Sequence, residues 1–281
     1  MAGIYYYDGQ WYDENPKITG PMDHAFWMSS VAFDGARAFQ GMVPDLQPHC
    51  DRLVRSAIAM GLNPPLEAVE IADLCREAVR RFPQDAELYI RPLFYATEGF
   101  VLPEPDSTEC VLAVYDSPLP GFGGFKACLS SFRRPAPDMA PTDAKASCLY
   151  PNSQRALREA AERGFDNAII RDPVGNIAEF ATANIWIAKD GVAITPVDNG
   201  TFLAGVTRKR VLELLTDSGV EVEQQTLTWD DVFSADEVFS TGNYGKVMPV
   251  TQLEDRDMQP GPIATKAYDL YFEFAKSTSV F

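Results

Sequence analysis

Apolar and polar residues repeat at two different periods along this chain, and each change of period marks an element. Tyr-rich residues 4–7 and residues 10–12 flank Asp8-Gly9. Both central positions of a type I′ turn need a positive φ, which Asp-Gly tolerates, so a hairpin is expected there. Residues 66–82 place Val69, Ala72, Leu74, Ala78 and Val79 among charges, an amphipathic helix that Pro83 stops. Residues 88–95 and 110–115 read as strands. Residues 152–163, rich in Ala, Arg and Glu, predict a helix that ends at Gly164. Short strands are expected at 168–171, 177–180 and 184–188, with Asp190-Gly191 turning into another at Val192. Gly205-Val206-Thr207 then feeds an amphipathic helix over 208–215. Helices and strands mixed in this way predict an α+β fold.

The chain is 281 residues long, room for one large domain or two modest ones. Residues 119–124, dense in Pro and Gly, are the best linker, so a smaller domain over 1–118 and a larger one over 125–281 are expected. A net charge of −16 repels phosphate backbones and anionic bilayers, so nucleic acid and membrane are not expected partners. No stretch approaches the ~18 consecutive apolar residues of a membrane span. Five cysteines, odd in number and without a C-x-x-C pair, argue against disulfides and zinc and suit a reducing compartment. Only two histidines, His24 and His49, are present, so no metal site is expected. The opening residues lack the basic start and apolar run of a secretory signal, and a cytoplasmic location is expected.

Three segments could carry chemistry. Lys145 lies among the small and apolar residues Ala144, Ala146, Cys148 and Leu149, with Tyr150 close by. Such a setting can free a neutral amine for imine formation, or the lysine can simply snorkel past an apolar patch. Gly205-Val206-Thr207 is either a phosphate cup, with backbone N–H groups at the positive end of a helix, or an ordinary N-cap at Thr207. Glu179, in Asn176-Ile177-Ala178-Glu179-Phe180-Ala181, either faces outward or pairs with a buried cation. A lysine for imine chemistry, a phosphate cup and a carboxylate for a ring nitrogen are together what a pyridoxal phosphate site requires.

The same segments resemble the signatures of class IV aminotransferases (fold type IV, D-amino acid aminotransferase-like), and within them branched-chain amino acid aminotransferases. Val31-Ala32-Phe33-Asp34-Gly35-Ala36-Arg37 is similar to V-F-E-G-x-R, and His49-Cys50-Asp51-Arg52-Leu53 with Ser56-Ala57 to H-x-x-R-L-x-x-S-A. Tyr89-Ile90-Arg91-Pro92-Leu93 matches Y-I-R-P-L, Ala144-Lys145-Ala146 with Tyr150 the lysine and tyrosine block, and 164–179 with Asn184 the long segment that ends in the glutamate. Leu203-Ala204-Gly205-Val206-Thr207-Arg208 resembles L-P-G-I-T-R, with Ala204 in place of proline.

The resemblance implies a two-domain enzyme with pyridoxal 5′-phosphate at the domain interface, completed by a second subunit as a homodimer. It implies Lys145 as the Schiff-base lysine and proton carrier, Glu179 at the ring nitrogen and Tyr150 at the phenolic oxygen. Arg52, Gly205, Val206, Thr207 and Asn243 would hold the phosphate. Phe33, Tyr89, Arg91 and Tyr244 would bind the substrate, Arg91 taking the carboxylate of glutamate or 2-oxoglutarate. The implied activity is ping-pong transamination between a branched-chain L-amino acid and 2-oxoglutarate. Met28 stands where a tyrosine is usual and Asp34 where the family has glutamate, and the largest departure is Thr241-Gly242-Asn243-Tyr244-Gly245-Lys246 where the family has S-G-T-A. That change favours an (R)-selective amine transaminase as the alternative, with a D-amino acid transaminase of the same fold kept beside it. An aminodeoxychorismate-type lyase and a non-catalytic homologue rank below them.

Overall fold

A computed structural model describes residues 3–281 of the chain. They form two compact units, each a mixture of helices and strands, in keeping with the α+β expectation. The first unit runs to Leu119 and takes in Asp143–Leu149 and Ala275–Phe281; the second comprises Pro120–Thr142 and Tyr150–Phe274.

In the first unit, β1 (Gly3–Tyr7) and β2 (Gln10–Tyr12) form the expected hairpin, with Asp8 at φ 48° and Gly9 at φ 72°. After α1 (His24–Met28), β3 (Val31–Phe33) and β4 (Ala36–Ala38), two longer helices follow, α2 (Leu46–Ala59) and α3 (Ala68–Arg80). They lead into β5 (Leu88–Ala96) and β6 (Thr108–Asp116). The antiparallel sheet has the order β2-β1-β6-β5-β3, with β4 also on β5.

Helix α2 is not among the elements expected from the sequence, and it contains a proline, Pro48. Pro48 falls in the first turn, where a backbone N–H has no intrahelical partner to lose. The helix buries Leu46, Cys50, Leu53 and Ala57 at helical spacing, and α3 buries Ile71, Ala72, Cys75, Ala78 and Val79. Both stripes pack on Leu88, Ile90, Phe94, Leu112 and Val114, one face of the sheet. Cys50, Cys75 and Cys110 are free thiols acting as small apolar side chains here, and burial pushes the Cys110 thiol up to about 12.

The strand residues between these turn to the other face. Tyr89, Arg91 and Leu93 share it with Tyr115, Arg37 and Phe33, which stand opposite Tyr89 or Leu93 in the register. A single break at 119–124 would leave Lys145 with the later residues. Instead its segment adds to the edge of this sheet, Ala146 bridging to Ala32 and the Phe33 N–H donating to Lys145 O at 3.0 Å.

The second unit begins with β7 (Phe125–Arg133), α4 (Tyr150–Glu162) and β8 (Asn167–Arg171). It continues through β9 (Ile177–Phe180), β10 (Asn184–Lys189), β11 (Val192–Pro196), α5 (Val206–Asp217) and β12 (Val222–Gln225). It closes with α6 (Trp229–Phe233), β13 (Glu237–Gly242), β14 (Lys246–Leu253), β15 (Arg256–Asp257) and α7 (Pro262–Ala275). The sheet order is β12-β11-β10-β13-β14-β7-β8-β9, with β15 on β14. Asp190 and Gly191 turn β10 into β11 at φ 50° and 81°, and Gly164 ends α4's segment at φ 82°, as the turn residues predict. Helices α5 and α7 cover Trp186, Ala188 and Phe239 with Val211, Leu215, Ala264, Ala267 and Tyr271. That packing fixes where the N-terminus of α5 sits relative to β9 and β10.

Candidate active site

In the first unit, Lys145 is half-buried between Ala144 and Ala146, which are inaccessible. Its backbone is tied on both sides: the carbonyl accepts from Phe33, and the N–H donates to Ser56 Oγ at 3.0 Å. Its Nζ lies 5.0 Å from the centroid of the Phe33 ring. This is the apolar setting read from its neighbours, on a held segment rather than a loose loop. Ser56 of the H-x-x-R-L-x-x-S-A block therefore anchors the lysine segment.

Arg52 lies on α2, three residues after His49, and both point at Asp34 on the loop leaving β3. Arg52 Nε and Nη2 donate to Asp34 at 2.7 and 2.9 Å, His49 Nδ1 is at 2.8 Å, and the Gly35 N–H donates at 2.7 Å. Asp34 is wholly buried. Burial alone would raise its carboxyl; the charges and hydrogen bonds of Arg52 and His49 reverse this and hold it far below the usual carboxylate range. Asp34 takes the place of the family's early glutamate, but its role was not read from the sequence. It fixes the guanidinium with a side-on pair.

Tyr89 and Arg91 occupy the sheet face that also carries Phe33. Tyr89 is half-buried and stacks on Tyr115 at 5.7 Å, while Arg91 is exposed. Its guanidinium lies over the Tyr89 and Tyr115 rings and donates to the Tyr115 hydroxyl.

In the second unit, Glu179 is buried in β9 and not outward-facing. The cation it needs is Arg134, at the end of β7: Nε stands 3.3 Å from Glu179 Oε1 and donates to Thr201 O at 2.9 Å. Arg134 was not singled out in the sequence; the signal was the demand of a buried carboxylate for a partner. Asn184 Nδ2 donates to Leu203 O at 3.0 Å and reaches Glu179 Oε2 at 3.4 Å.

Asn184 also explains the glycine at 205. A β-carbon there would fall 1.8 Å from Asn184 Oδ1. Gly205 is the N-cap of α5 and places no side-chain cap on the first turn. Thr207 sits inside the helix and is buried, so the reading of Thr207 as the N-cap is corrected. Arg208 turns the opposite way, donating to Thr195 Oγ1, Pro196 O and Gln224 Oε1, and pins α5 to the sheet. Tyr150 opens α4 and is half-buried.

The 243–245 turn joins β13 to β14. Tyr244 is 61% exposed. Thr241 is inaccessible and its hydroxyl accepts from Trp186 Nε1 at 3.0 Å, so it does not stand in for the family's turn threonine. Gly242, Tyr244, Gly245 and Lys246 border a cavity of about 340 Å³ floored by Phe125 and Met248. A concave apolar site with few polar groups is the usual form of a small-molecule pocket.

Similarity to known proteins identifies the class of enzyme to which these residues belong. The chain belongs to the class IV amino-transferases, whose family model matches residues 31–253. It is 34% identical to the branched-chain-amino-acid aminotransferase of Pseudomonas aeruginosa, covering 96% of this chain and 92% of that protein. Among solved structures, an aminotransferase from Brucella abortus bound to its cofactor PLP has a TM-score of 0.97 at 44% identity, over 98% of this chain and 100% of that one. The branched-chain aminotransferase of Thermoproteus uzoniensis with norvaline has a TM-score of 0.91 at 29% identity, over 99% and 96%.

Proposed function

We propose that this chain is a pyridoxal 5′-phosphate-dependent transaminase, moving an amino group between a branched-chain L-amino acid and 2-oxoglutarate by a ping-pong mechanism. The observation that carries this reading is Asn184, one buried amide that joins Glu179 to the start of α5. An acid and an uncapped helix start linked in this way suit a ligand with a basic ring nitrogen and a phosphate. The missing β-carbon at Gly205 and the absent side-chain cap leave that start fit for an anion.

When bound, the cofactor supplies an electron-accepting ring for the substrate α-carbon. Lys145 would hold it through its side-chain amine, and that amine would move the proton at the substrate α-carbon. Glu179 holds the proton on the ring nitrogen, with Arg134 keeping the carboxylate in place. Tyr150 donates to the phenolic oxygen. Arg52, Gly205, Val206, Thr207 and Asn243 would hold the phosphate, so an acidic protein would bind an anion through local cations and amides. Phe33, Tyr89 and Tyr244 shape the side-chain site, and Arg91 takes the second carboxylate of 2-oxoglutarate. The reading carries a homodimer in the cytoplasm; buried free thiols suit a reducing compartment.

The test is the visible spectrum of cofactor-loaded protein on addition of L-leucine without a keto acid. Bleaching reversed by 2-oxoglutarate supports the reading. Lys145→Ala should keep cofactor affinity through the phosphate contacts yet lose transamination by about a thousandfold. It should also give no mass increment after borohydride reduction; full activity in that variant would sink the mechanism. A second reading, an (R)-selective amine transaminase, is favoured by the exposed Tyr244 in the turn. A yellow protein indifferent to L-leucine but bleached by an (R)-amine would select it.

A further inference from the structure

Lys246 opens β14 directly after the 243–245 turn and is buried, 1% exposed. Its backbone adopts φ 61°, a left-handed conformation that disfavours any residue with a β-carbon. Gly245 keeps the turn tight, since a β-carbon there would meet Met248 Sδ at 2.2 Å. From this position Lys246 Nζ reaches back across the turn and donates to Asn243 Oδ1 at 2.9 Å.

An ammonium has donors and no acceptor, so this bond sets which way the Asn243 amide points. The carbonyl turns to Lys246 and the amide nitrogen is turned away. That nitrogen, Nδ2, is buried and has no hydrogen-bond partner among the described residues. A buried donor in this state loses free energy that an acceptor restores, and an anionic acceptor restores most. A threonine, which the family carries at this place, can rotate its hydroxyl to suit either role. An amide cannot, and it needs a partner to choose its donor edge.

We propose that Lys246 is a positioning residue that fixes the Asn243 amide so that Nδ2 presents one hydrogen-bond donor to an anionic oxygen, either the cofactor phosphate or the substrate α-carboxylate. This inference rests on the transaminase reading and adds to it a specificity device belonging to the departing block of this chain.

The experiment compares the full-length wild type with Lys246→Met, Asn243→Ala and the double variant. In the phosphate arm, protein fluorescence reads affinity for pyridoxal 5′-phosphate against pyridoxal. In the carboxylate arm, loaded enzyme is assayed for kcat/KM with L-leucine against 3-methylbutylamine. Each single variant should lower one of the two ratios by about tenfold to a hundredfold. The double variant should be no worse than either single, because both act on one bond. The affected ratio names the anion. Ratios within about twofold of wild type in both arms, or additive losses, would overturn the inference. If Lys246→Met does not fold, Asn243→Asp keeps the shape and the lysine contact but replaces the donor by an acceptor. It should lower the same ratio by at least as much, and an unchanged ratio there also overturns it. Wild-type protein that takes up no pyridoxal phosphate overturns the transaminase reading; wild-type phosphate preference retained in every variant, with unchanged carboxylate discrimination, overturns this inference alone.

Discussion

Arg52 with Asp34 in the first unit and Arg134 with Glu179 in the second are both buried arginine–carboxylate pairs, yet they are packed differently. Asp34 accepts two guanidinium bonds, a histidine contact and a backbone N–H, all between 2.7 and 2.9 Å. Glu179 is met at 3.3 Å by Arg134 and at 3.4 Å by Asn184, lengths at which hydrogen bonds are weak. A carboxylate saturated by short bonds fixes the arginine beside it. In the second pair the arginine is fastened elsewhere as well, Arg134 Nε donating to Thr201 O at 2.9 Å. The same two residue types thus build a short, side-on pair in one unit and a longer contact in the other.

The sharpest way to break this comparison is to truncate each acid. Asp34→Ala strands Arg52 in the core and should cost about 3–5 kcal/mol of stability in urea unfolding, with cofactor affinity falling as well. Glu179→Gln should leave unfolding within about 1 kcal/mol of wild type but reduce transamination by about a hundredfold or more. Equal stability losses in the two variants would show that the pairs do the same job. Gly205→Ala pushes a methyl into Asn184 and should cost about 1–3 kcal/mol, loosening both Glu179 and the start of α5. Cofactor titration of that variant should show weaker binding.

A smaller effect follows from pH. The folded Asp34 carboxyl lies far below its ordinary value near 4, so its pairing contributes fully above about pH 4 and is lost as pH falls toward the folded value. The urea midpoint of wild type should decline below about pH 4, and Asp34→Asn should flatten that decline. Smallest of all, Tyr244→Ala should change stability by no more than about 0.5 kcal/mol, because most of the ring is in solvent. A measurable change in the preference between L-leucine and an (R)-amine in that variant would tie the turn to selectivity.

Much of the molecule could be read from residues near one another in sequence. Asp8-Gly9 and Asp190-Gly191 announced their hairpins, because positive φ is a property of the residue itself. The stripes of α3 and the alternation in β5 followed from burial at fixed periods. Lys145, Glu179 and Gly205 stood out because each was chemically odd among its immediate neighbours. Helix α2 is not among the expected elements; its Pro48 lies in the first turn, where a proline costs little, although the same residue elsewhere ends a helix.

What tertiary structure alone decided was which distant groups meet. Nothing local to Asp143–Leu149 says that it adds to the sheet edge of the first unit, yet one bond to Ser56 and one from Phe33 hold it there. The buried acid at 179 demanded a cation, but Arg134 became that cation only when β7 and β9 folded into one sheet. In the sequence Lys246 is only the last residue of the departing block, and the folded turn brings its ammonium onto Asn243. Backbone preference and burial period act over a few residues, so sequence determined the elements, the chemical oddities and the family. Paired charges and oriented amides act across space, and only the packed chain could choose their partners.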